Sequence, residues 1–210
     1  MLYLVRHGQT EYNAQGRLQG RLDSPLTELG IAQATNIGRA LRALIKNPDG
    51  WTIESSPLTR ARRTAEIIRT QIGIGSDIVL DDRLREVSLG SWDGLTGPEI
   101  DALWPGARIA SSVRLSWIHG CQDGETFQAA TARLTEWLMA ADDRKNHIVV
   151  SHGIAGSLLR GIYAGLSAAE MLRLPVPQDA FFELDDRRIR RIDCSVPTCP
   201  PGPARPGKFR

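Results

Sequence analysis

Two short β-prone runs that each end in a His-Gly pair constrain the fold of this chain most strongly. Residues 2–6 lead into His7-Gly8, and residues 147–151, rich in β-branched side chains, lead into His152-Gly153. Segments with helical spacing of apolar residues alternate with further β-prone runs along the chain. This alternation predicts an α/β domain with a mostly parallel sheet and helices on both faces. The ligand crevice of such a sheet lies beyond the carboxyl ends of its strands, where both His-Gly pairs fall.

The remaining elements follow from periodicity and from turn residues. The predicted helices cover about 34–44, 58–72, 98–103, 127–141, 154–163 and 168–172, and the further strands cover 51–55, 77–80, 180–184 and 189–194. The last two strands form a predicted antiparallel hairpin that turns at Asp185-Asp186. Residues 105–124 show no clear pattern. We expect one domain over residues 1–195 and a disordered tail over 196–210, which holds five prolines and two glycines.

Composition and charge exclude several classes of protein. The chain has 26 basic and 24 acidic residues, a balance that is unsuited to a protein whose main partner is nucleic acid. No window approaches the roughly 18 apolar residues of a membrane span, and the N-terminal residues do not resemble a signal peptide. The three cysteines, Cys121, Cys194 and Cys199, are too few for a disulfide framework and have no zinc spacing. We therefore expect a cytoplasmic protein without a membrane or nucleic-acid partner.

The neighbours of the two histidines indicate what they do. Two histidines in one crevice could bind a metal, exchange protons, or act as a nucleophile and its helper. Arg6 precedes His7, and Arg60 lies in the first turn of a predicted helix that follows Pro57. Cations repel metal ions, whereas a guanidinium fork and the amides of a helix N-terminus both suit phosphate. The sequence therefore predicts a phosphate site without a metal.

Such a site can also supply a nucleophile and an acid. Guanidinium groups disfavour protonation of a nearby imidazole and neutralise charge on a transferring phosphoryl group, so His7 can attack phosphorus. A general acid must then protonate the leaving oxygen. Glu86, ahead of the turn 90–94, is the best-placed carboxylate, and we expect Trp92 to desolvate it partially.

Structural roles compete with these interpretations. Arg60 could instead cap local carbonyl groups or pair with Glu66, and Glu86 could pair only with Arg83 or Arg85. We interpret 123–126 as the N-terminal cap of the helix that follows it. Surface positions are expected for Arg62, Arg63, His119 and His147.

Five motifs occur in an order that identifies a family resemblance. They are Leu-Val-Arg-His-Gly-Gln-Thr-Glu-Tyr-Asn at 4–13; Gln19-Gly20 with 23–27 and Gly30; 55–61 with Thr64-Ala65; 84–86 with Gly90, Trp92 and Gly94; and 149–153. Together they resemble the motifs of the histidine phosphatase (phosphoglycerate mutase-like) superfamily over residues 2–153.

The resemblance implies a fold, a mechanism and a set of site residues. The expected fold is a three-layer α/β/α sandwich of the phosphoglycerate mutase-like type. His7 would form a phosphohistidine and Glu86 would act as general acid and base. The residues expected to hold or surround the phosphoryl group are Arg6, Arg60, His152, Gly153, Asn13, Gln19 and Gly20. The family needs no metal, and we expect no cofactor.

The resemblance leaves the acceptor of the phosphoryl group open. Mutases of the superfamily resemble one another in a His-Tyr-Gly segment directly after the acid and in a longer basic insertion. Here 87–90 reads Val-Ser-Leu-Gly, and Arg108 and Arg114 are the only cations from there to Asp123. We therefore expect hydrolysis of a small phosphorylated metabolite. A cofactor-dependent phosphoglycerate mutase and a non-catalytic phosphate-binding protein are the alternatives, although a binding protein has no need of Glu86.

Substrate selectivity is expected to come from the rim of the site. The candidates are Arg17 and Arg21 in the first loop, the unpatterned segment 105–124, and Gln178-Asp179. The sequence leaves a homodimer open.

Overall fold

The computed structural model describes residues 1–108, 120–141 and 146–194. Its strands are β1 (Leu2–Arg6), β2 (Trp51–Ser55), β3 (Val79–Leu80), β4 (Asn146–Ser151), β5 (Ala180–Asp185) and β6 (Arg188–Asp193). Its helices are α1 (Glu11–Ala14), α2 (Glu28–Leu44), α3 (Thr59–Ile72), α4 (Gly97–Leu103), α5 (Phe127–Ala140), α6 (Gly153–Ala164) and α7 (Ala168–Met171). The predictions for the tail 196–210, for His119, and for most of the unpatterned segment fall outside the described residues.

The strands form one sheet in the order β3-β2-β4-β1-β5-β6. β1, β2, β3 and β4 are parallel, whereas β5 and β6 are antiparallel additions at one edge. β1 and β4 are neighbours, with Arg6 opposite Ser151. The residues that follow these two strands, His7 and His152, therefore leave the sheet side by side. The predicted α/β class with a mostly parallel sheet is confirmed.

Helices cover both faces of the sheet because the central strands are apolar on both faces. In β1, Leu2 and Leu4 belong to one buried cluster, and Tyr3 and Val5 belong to the other. The second cluster also contains the buried stripes of α2 and α3, while α5 and α6 supply the first. The result is the expected three-layer sandwich. Within the described ranges, none of the helices has the length and apolar character needed to traverse a bilayer.

Helix and hairpin ends follow local signals. Thr27 caps α2 by accepting a hydrogen bond from the amide of Gly30, and α3 ends at Gly73, whose φ is +82°. The hairpin turns at Asp186 and Arg187, both with positive φ, one residue later than predicted. Two central residues with positive φ are typical of the type I′ turn, whose twist matches that of the flanking strands.

His147 lies in the interior, so the predicted surface position is wrong. The side chain is 6% exposed, and its Nδ1 lies 2.7 Å from Oε1 of Glu54. The other oxygen of Glu54 accepts a hydrogen bond of 2.9 Å from the indole of Trp137. Because β2 and β4 are adjacent and α5 packs over them, a partner almost a hundred residues away satisfies His147. That pairing is a property of the sheet order, and nothing in the local sequence shows it.

Candidate active site

His7 lies where β1 ends against the N-terminal turn of α2. Its amide continues the β ladder by donating to the carbonyl of Ser151 at 3.0 Å. The next residue, Gly8, passes so close to α2 that a Cβ atom there would lie 2.3 Å from the carbonyl oxygen of Gly30. Only glycine fits this approach, which fixes the direction in which the chain leaves the strand.

The imidazole of His7 is buried with a defined arrangement of its two nitrogens. Nδ1 lies 2.8 Å from the carbonyl oxygen of Gly8, and Nε2 lies 3.3 Å from Nε of Arg60. Because a carbonyl oxygen only accepts and a guanidinium only donates, Nδ1 carries the proton and Nε2 carries the lone pair. Burial, reinforced by the charges of Arg60 and Arg6, holds the pKa of His7 well below its ordinary value of 6.5. The ring is therefore neutral at physiological pH.

Arg60 links His7 to the loop that follows α1. Its guanidinium donates to the carbonyl oxygens of Gly20 (2.7 Å) and Leu22 (2.6 Å) and to Oδ1 of Asp23 (2.8 Å). Arg60 is 1% exposed. Glu66 pairs instead with Arg62 and Arg63, which lie on the surface as predicted. The proposed pairing of Arg60 with Glu66 is thus not found, whereas the capping of carbonyl groups is.

Asp23 occupies the N-terminus of α3. Its Oδ2 accepts from the amide of Thr59 at 2.7 Å, and its Oδ1 accepts from the amide of Arg60 at 3.4 Å. The prediction that these amides would be available to phosphate is therefore wrong, because a carboxylate from a preceding loop already binds them. The guanidinium of Arg60 remains the group at this helix end that faces His7.

His152 approaches His7 from the end of β4. The ring centroids are 5.1 Å apart with planes at 62°. Nε2 lies 2.8 Å from Oγ of Ser56, whereas Nδ1 is buried without a hydrogen-bond partner in the part of the chain that the structure describes. Burial, then the charges of Arg60, His7 and Arg6, hold the pKa of His152 well below its ordinary value. A buried ring nitrogen without a protein partner is expected to bind water or an anion.

Arg6 borders the same site from the last position of β1. Its guanidinium donates to the carbonyl oxygen of Val176. Gly153, the first residue of α6, packs against it, and a Cβ atom there would lie 3.4 Å from Cζ of Arg6. The guanidinium therefore lies between the start of α6 and the segment that precedes β5.

Glu86 binds the first turn of α6. Its carboxylate accepts hydrogen bonds from the amides of Ile154 (3.1 Å), Ala155 (2.9 Å) and Val87 (3.0 Å), and the residue is 8% exposed. A carboxylate at a helix N-terminus is also stabilised by the helix dipole. These hydrogen bonds fix the carboxylate of Glu86 at the start of α6, the helix that begins with Gly153.

The alternative contacts predicted for Glu86 are not found. Arg83 pairs with Asp81 and Glu136, and Arg85 pairs with Asp82. Trp92, which was expected to desolvate Glu86, does not line the cleft. It is buried in the core, with its ring tilted against Trp104 at 6.4 Å.

One cleft brings almost all of the predicted residues together. It holds about 600 Å³ of empty space, counted out to its mouth, and eight predicted residues line it: Arg6, His7, Asn13, Gln19, Gly20, Arg60, Glu86 and Gly153. His152, the ninth, lines a smaller cavity behind Arg6 and Gly153. Among the described residues, no three His, Cys, Asp or Glu side chains are grouped to hold a metal ion.

Three residues near Arg60 and His7, two with amide side chains and one glycine, line the cleft. Asn13 accepts hydrogen bonds at Oδ1 from the amide of Thr10 (3.3 Å) and from Nε2 of Gln178 (2.9 Å), which leaves its NH₂ group for the cleft. Gln19 accepts from Ser24 at 3.1 Å. Gly20 has a φ of +50°, and a Cβ atom there would lie 1.6 Å from Oδ1 of Asp93.

The predicted rim residues are already engaged in ion pairs. Arg17 lines the cleft but donates to Glu99 at 3.0 Å and to the carbonyl of Gly94 at 2.8 Å. Arg21 lies 3.6 Å from Glu125, which also binds Arg133.

In the segment 123–126, Thr126 caps α5 as expected, accepting a hydrogen bond from the amide of Ala129 at 3.1 Å.

Sequence reasoning did not identify several residues that hold the predicted site residues in place. It assigned no role to Asp23, Ser56 or Val176, and it placed Gln178 only on the rim. Asp23 and Ser56 both lie within the motifs that carried the family resemblance, so their presence there was a signal. Val176 has no comparable signal because it contacts Arg6 through its backbone carbonyl.

Comparison with known proteins assigns the chain to a family. The model of the histidine phosphatase superfamily (branch 1) matches residues 2–188. A glucosyl-3-phosphoglycerate phosphatase of Mycobacterium tuberculosis is 38% identical over 184 residues, which cover 83% of this chain and 76% of the relative. A probable phosphoglycerate mutase of Cronobacter sakazakii is 38% identical over 204 residues, which cover 93% and 82%.

A solved structure shares the fold. Bacillus stearothermophilus YhfR superposes with a TM-score of 0.76 at 31% identity, over 91% of this chain and 95% of that one. The family model, the relatives and the shared fold all indicate the same superfamily. The chain therefore belongs to the histidine phosphatase superfamily, branch 1, and is a phosphoric monoester hydrolase.

Proposed function

We propose that this chain is a metal-independent phosphatase that hydrolyses a small phosphorylated metabolite through a phosphohistidine on Nε2 of His7. The observation that carries the proposal is the state of His7. Its ring is buried and neutral, its Nδ1 proton is held by the carbonyl of Gly8, and its Nε2 lone pair lies beside a guanidinium. That lone pair accepts a hydrogen bond from Nε of Arg60, and it becomes free to attack phosphorus when the guanidinium turns to a phosphoryl oxygen.

In the first step, Nε2 of His7 attacks the phosphorus and the ester P–O bond breaks as the P–N bond forms. Arg6 and Arg60 neutralise charge on the phosphoryl oxygens, and Nδ1 of His152 and the NH₂ group of Asn13 donate to them. Glu86, as the general acid, gives a proton to the leaving oxygen. The products are the free alcohol and the phosphorylated enzyme.

In the second step, water replaces the alcohol. The carboxylate of Glu86 takes one proton from the attacking water, the new P–O bond forms, and the P–N bond breaks. Inorganic phosphate leaves, Glu86 is again protonated, and His7 returns to the neutral ring with the Nδ1 proton in place. The same side chain thus serves as acid and then as base.

Water is the favoured acceptor over a second substrate hydroxyl. Val87 and Leu89, directly after Glu86, are buried in the core. Arg108 pairs with Asp101, and Arg114 lies outside the described residues. Between Glu86 and Asp123, the described residues therefore offer no unengaged cation for a second phosphate, as a bisphosphorylated mutase primer would need. A relative that bears the mutase name keeps a primer-dependent mutase as the alternative.

The size and walls of the cleft support a small substrate. Apolar side chains, Leu18, Leu89, Ile154 and Val176, form much of its lining around the phosphate end. On the scale used for ligand pockets the cavity volume is about 160 Å³, which is below that of drug-sized sites and suits a small phosphoester. The names of two relatives suggest phosphoesters of small hydroxy acids for the first panel of natural substrates.

Phosphate release from an activated aryl phosphate in excess chelator tests the proposal. We expect turnover by the wild-type chain and a loss of at least about 10³-fold for H7A. Arg60→Ala should also lose activity, whereas Arg62→Ala, two residues away on the exposed face of α3, should retain it. Turnover that the chelator abolishes, or that survives in H7A, would contradict the proposal.

A further inference from the structure

The segment that precedes β5 is fixed against the candidate active site by two arginines. Arg6 donates to the carbonyl oxygen of Val176, and Arg160 donates to the carbonyl oxygen of Pro175. Arg160 is 3% exposed, and its guanidinium also lies 3.8 Å from the ring centroid of Phe182. These contacts define where Gln178, two residues after Val176, enters the site.

Gln178 bridges the nucleophile and Asn13 with one nitrogen atom. Its Nε2 donates to the backbone carbonyl of His7 at 3.2 Å and to Oδ1 of Asn13 at 2.9 Å. Oδ1 of Asn13 also accepts from the amide of Thr10. Both donors meet the same oxygen, so the amide of Asn13 has one favoured orientation, with Nδ2 as its remaining group.

We propose that Gln178 is a positioning residue that holds Asn13 so that its NH₂ group donates to a phosphoryl oxygen. Without Gln178, the amide of Asn13 can rotate and present Oδ1, which repels an anion. The inference rests on the proposed function for the identity of the anion. Gln178 acts through Asn13 and does not itself touch the phosphoryl group.

A double-mutant cycle on inorganic phosphate binding tests this inference. Calorimetry compares the wild type, Gln178→Leu, Asn13→Ala and the double variant. We expect Gln178→Leu to weaken phosphate binding roughly tenfold, the scale of one hydrogen bond to a charged group. In the Asn13→Ala background the same change should weaken binding by less than about twofold. Gln128→Leu, on the exposed surface of α5, is the matched control and should bind phosphate as the wild type does.

Each other outcome overturns the inference. A purely structural Gln178 would produce the same loss in both backgrounds, and an irrelevant one would produce no loss in either. If Gln178→Leu does not fold, Gln178→Met keeps the length of the side chain without a donor or a charge, and should show the same dependence on Asn13.

The cycle is independent of turnover, so it separates the two proposals. Coupling between Gln178 and Asn13 in a chain that does not hydrolyse aryl phosphates would sustain the positioning role and overturn the proposed function. Turnover without coupling would sustain the proposed function and overturn the positioning role of Gln178. A wild-type chain that does not bind phosphate would overturn both.

Discussion

At the scale of single residues, the surroundings of His7 separate the nucleophile from the proton donor. Burial and two guanidiniums penalise the imidazolium form, so His7 carries a lone pair and no surplus proton. The proton for the leaving group must therefore come from another side chain. Glu86 is the carboxyl group that lines the cleft beside His7. In the proposed reaction, the neutral imidazole of His7 is the nucleophile and the carboxylic acid of Glu86 is the proton donor.

Replacement of Glu86 by glutamine should slow substrates according to their leaving groups. An alkoxide needs a proton as it departs, whereas an activated aryl oxide does not. We expect Glu86→Gln to lower kcat/KM for alkyl phosphates by about 10²–10⁴-fold and for activated aryl phosphates much less. Steady-state kinetics over a series of esters with graded leaving-group pKa measures the difference. Equal losses for alkyl and aryl esters would show that Glu86 is not the acid.

The residues proposed to contact phosphate were easier to predict than the residues that hold them in place. Arg6, His7 and His152 lie next to strand ends, so topology alone brings them together. The contact of Glu86 with the amides of Ile154 and Ala155 joins residues almost 70 positions apart. Such a contact depends on how a loop packs against a helix end, which local spacing does not encode.

At the scale of elements, two helix N-termini in the site are bound by carboxylates from other parts of the chain. Asp23 binds the first amides of α3, and Glu86 binds those of α6. The helix ends thus fix two loops, because each carboxylate comes from a loop that also borders the cleft. Asp23 in addition balances the charge of Arg60 at 2.8 Å.

Removal of Asp23 should therefore affect both stability and phosphate chemistry. We expect Asp23→Ala to lower the free energy of unfolding by about 1–2 kcal/mol, from a lost cap and a weakened, partly exposed ion pair. We also expect lower kcat/KM, because Arg60 loses one of its anchors. Thr126→Ala, which removes the cap of α5, is the control. It should lose about 1 kcal/mol of stability without a change in activity. Denaturant titration and kinetics on both variants measure the two effects, and equal kinetics would contradict the role given to Asp23.

At the scale of the whole molecule, the order of strands determines the site. The strands and the helices α3 to α7 were predicted closely because apolar periodicity and turn residues are local signals, whereas α1 was not predicted and α2 begins at Glu28, six residues before its predicted start. The repeated His-Gly ending and the parallel topology predicted that both histidines open onto one crevice, whereas the adjacency of β1 and β4 is seen only in the structure. The position of Gln178 did not follow, since the antiparallel addition of β5 to β1 brings it from the end of the domain to His7. The buried pair of His147 and Glu54 was missed because it depends on the adjacency of β2 and β4.

Two buried neutral histidines make the whole fold sensitive to acid. The pKa values of His7 and His152 are lowered in the folded protein, while both groups titrate near 6.5 when unfolded. Below that pH the unfolded chain binds protons that the folded chain does not, so stability falls as pH decreases. The slope is at most about 1.4 kcal/mol per pH unit for each histidine.

Denaturant titrations at pH 7.5, 6.5 and 5.5 measure this loss of stability. His152→Asn should flatten the dependence by removing one of the two groups, although it lowers stability at pH 7.5. An unfolding free energy of the wild type that is constant or rises toward pH 5.5, or an unchanged slope in the variant, would contradict a neutral His152.

Capture of the phosphorylated enzyme is the most direct test of the central claim. A rapid-quench experiment with a phosphorus-labelled aryl phosphate, followed by peptide mapping, locates the phosphoryl group. We predict an alkali-stable, acid-labile label on His7 that is absent in H7A. The label should accumulate in Glu86→Gln if that substitution slows the second step. A label on any other residue, or turnover without a labelled enzyme in either the wild type or Glu86→Gln, would contradict the phosphohistidine mechanism.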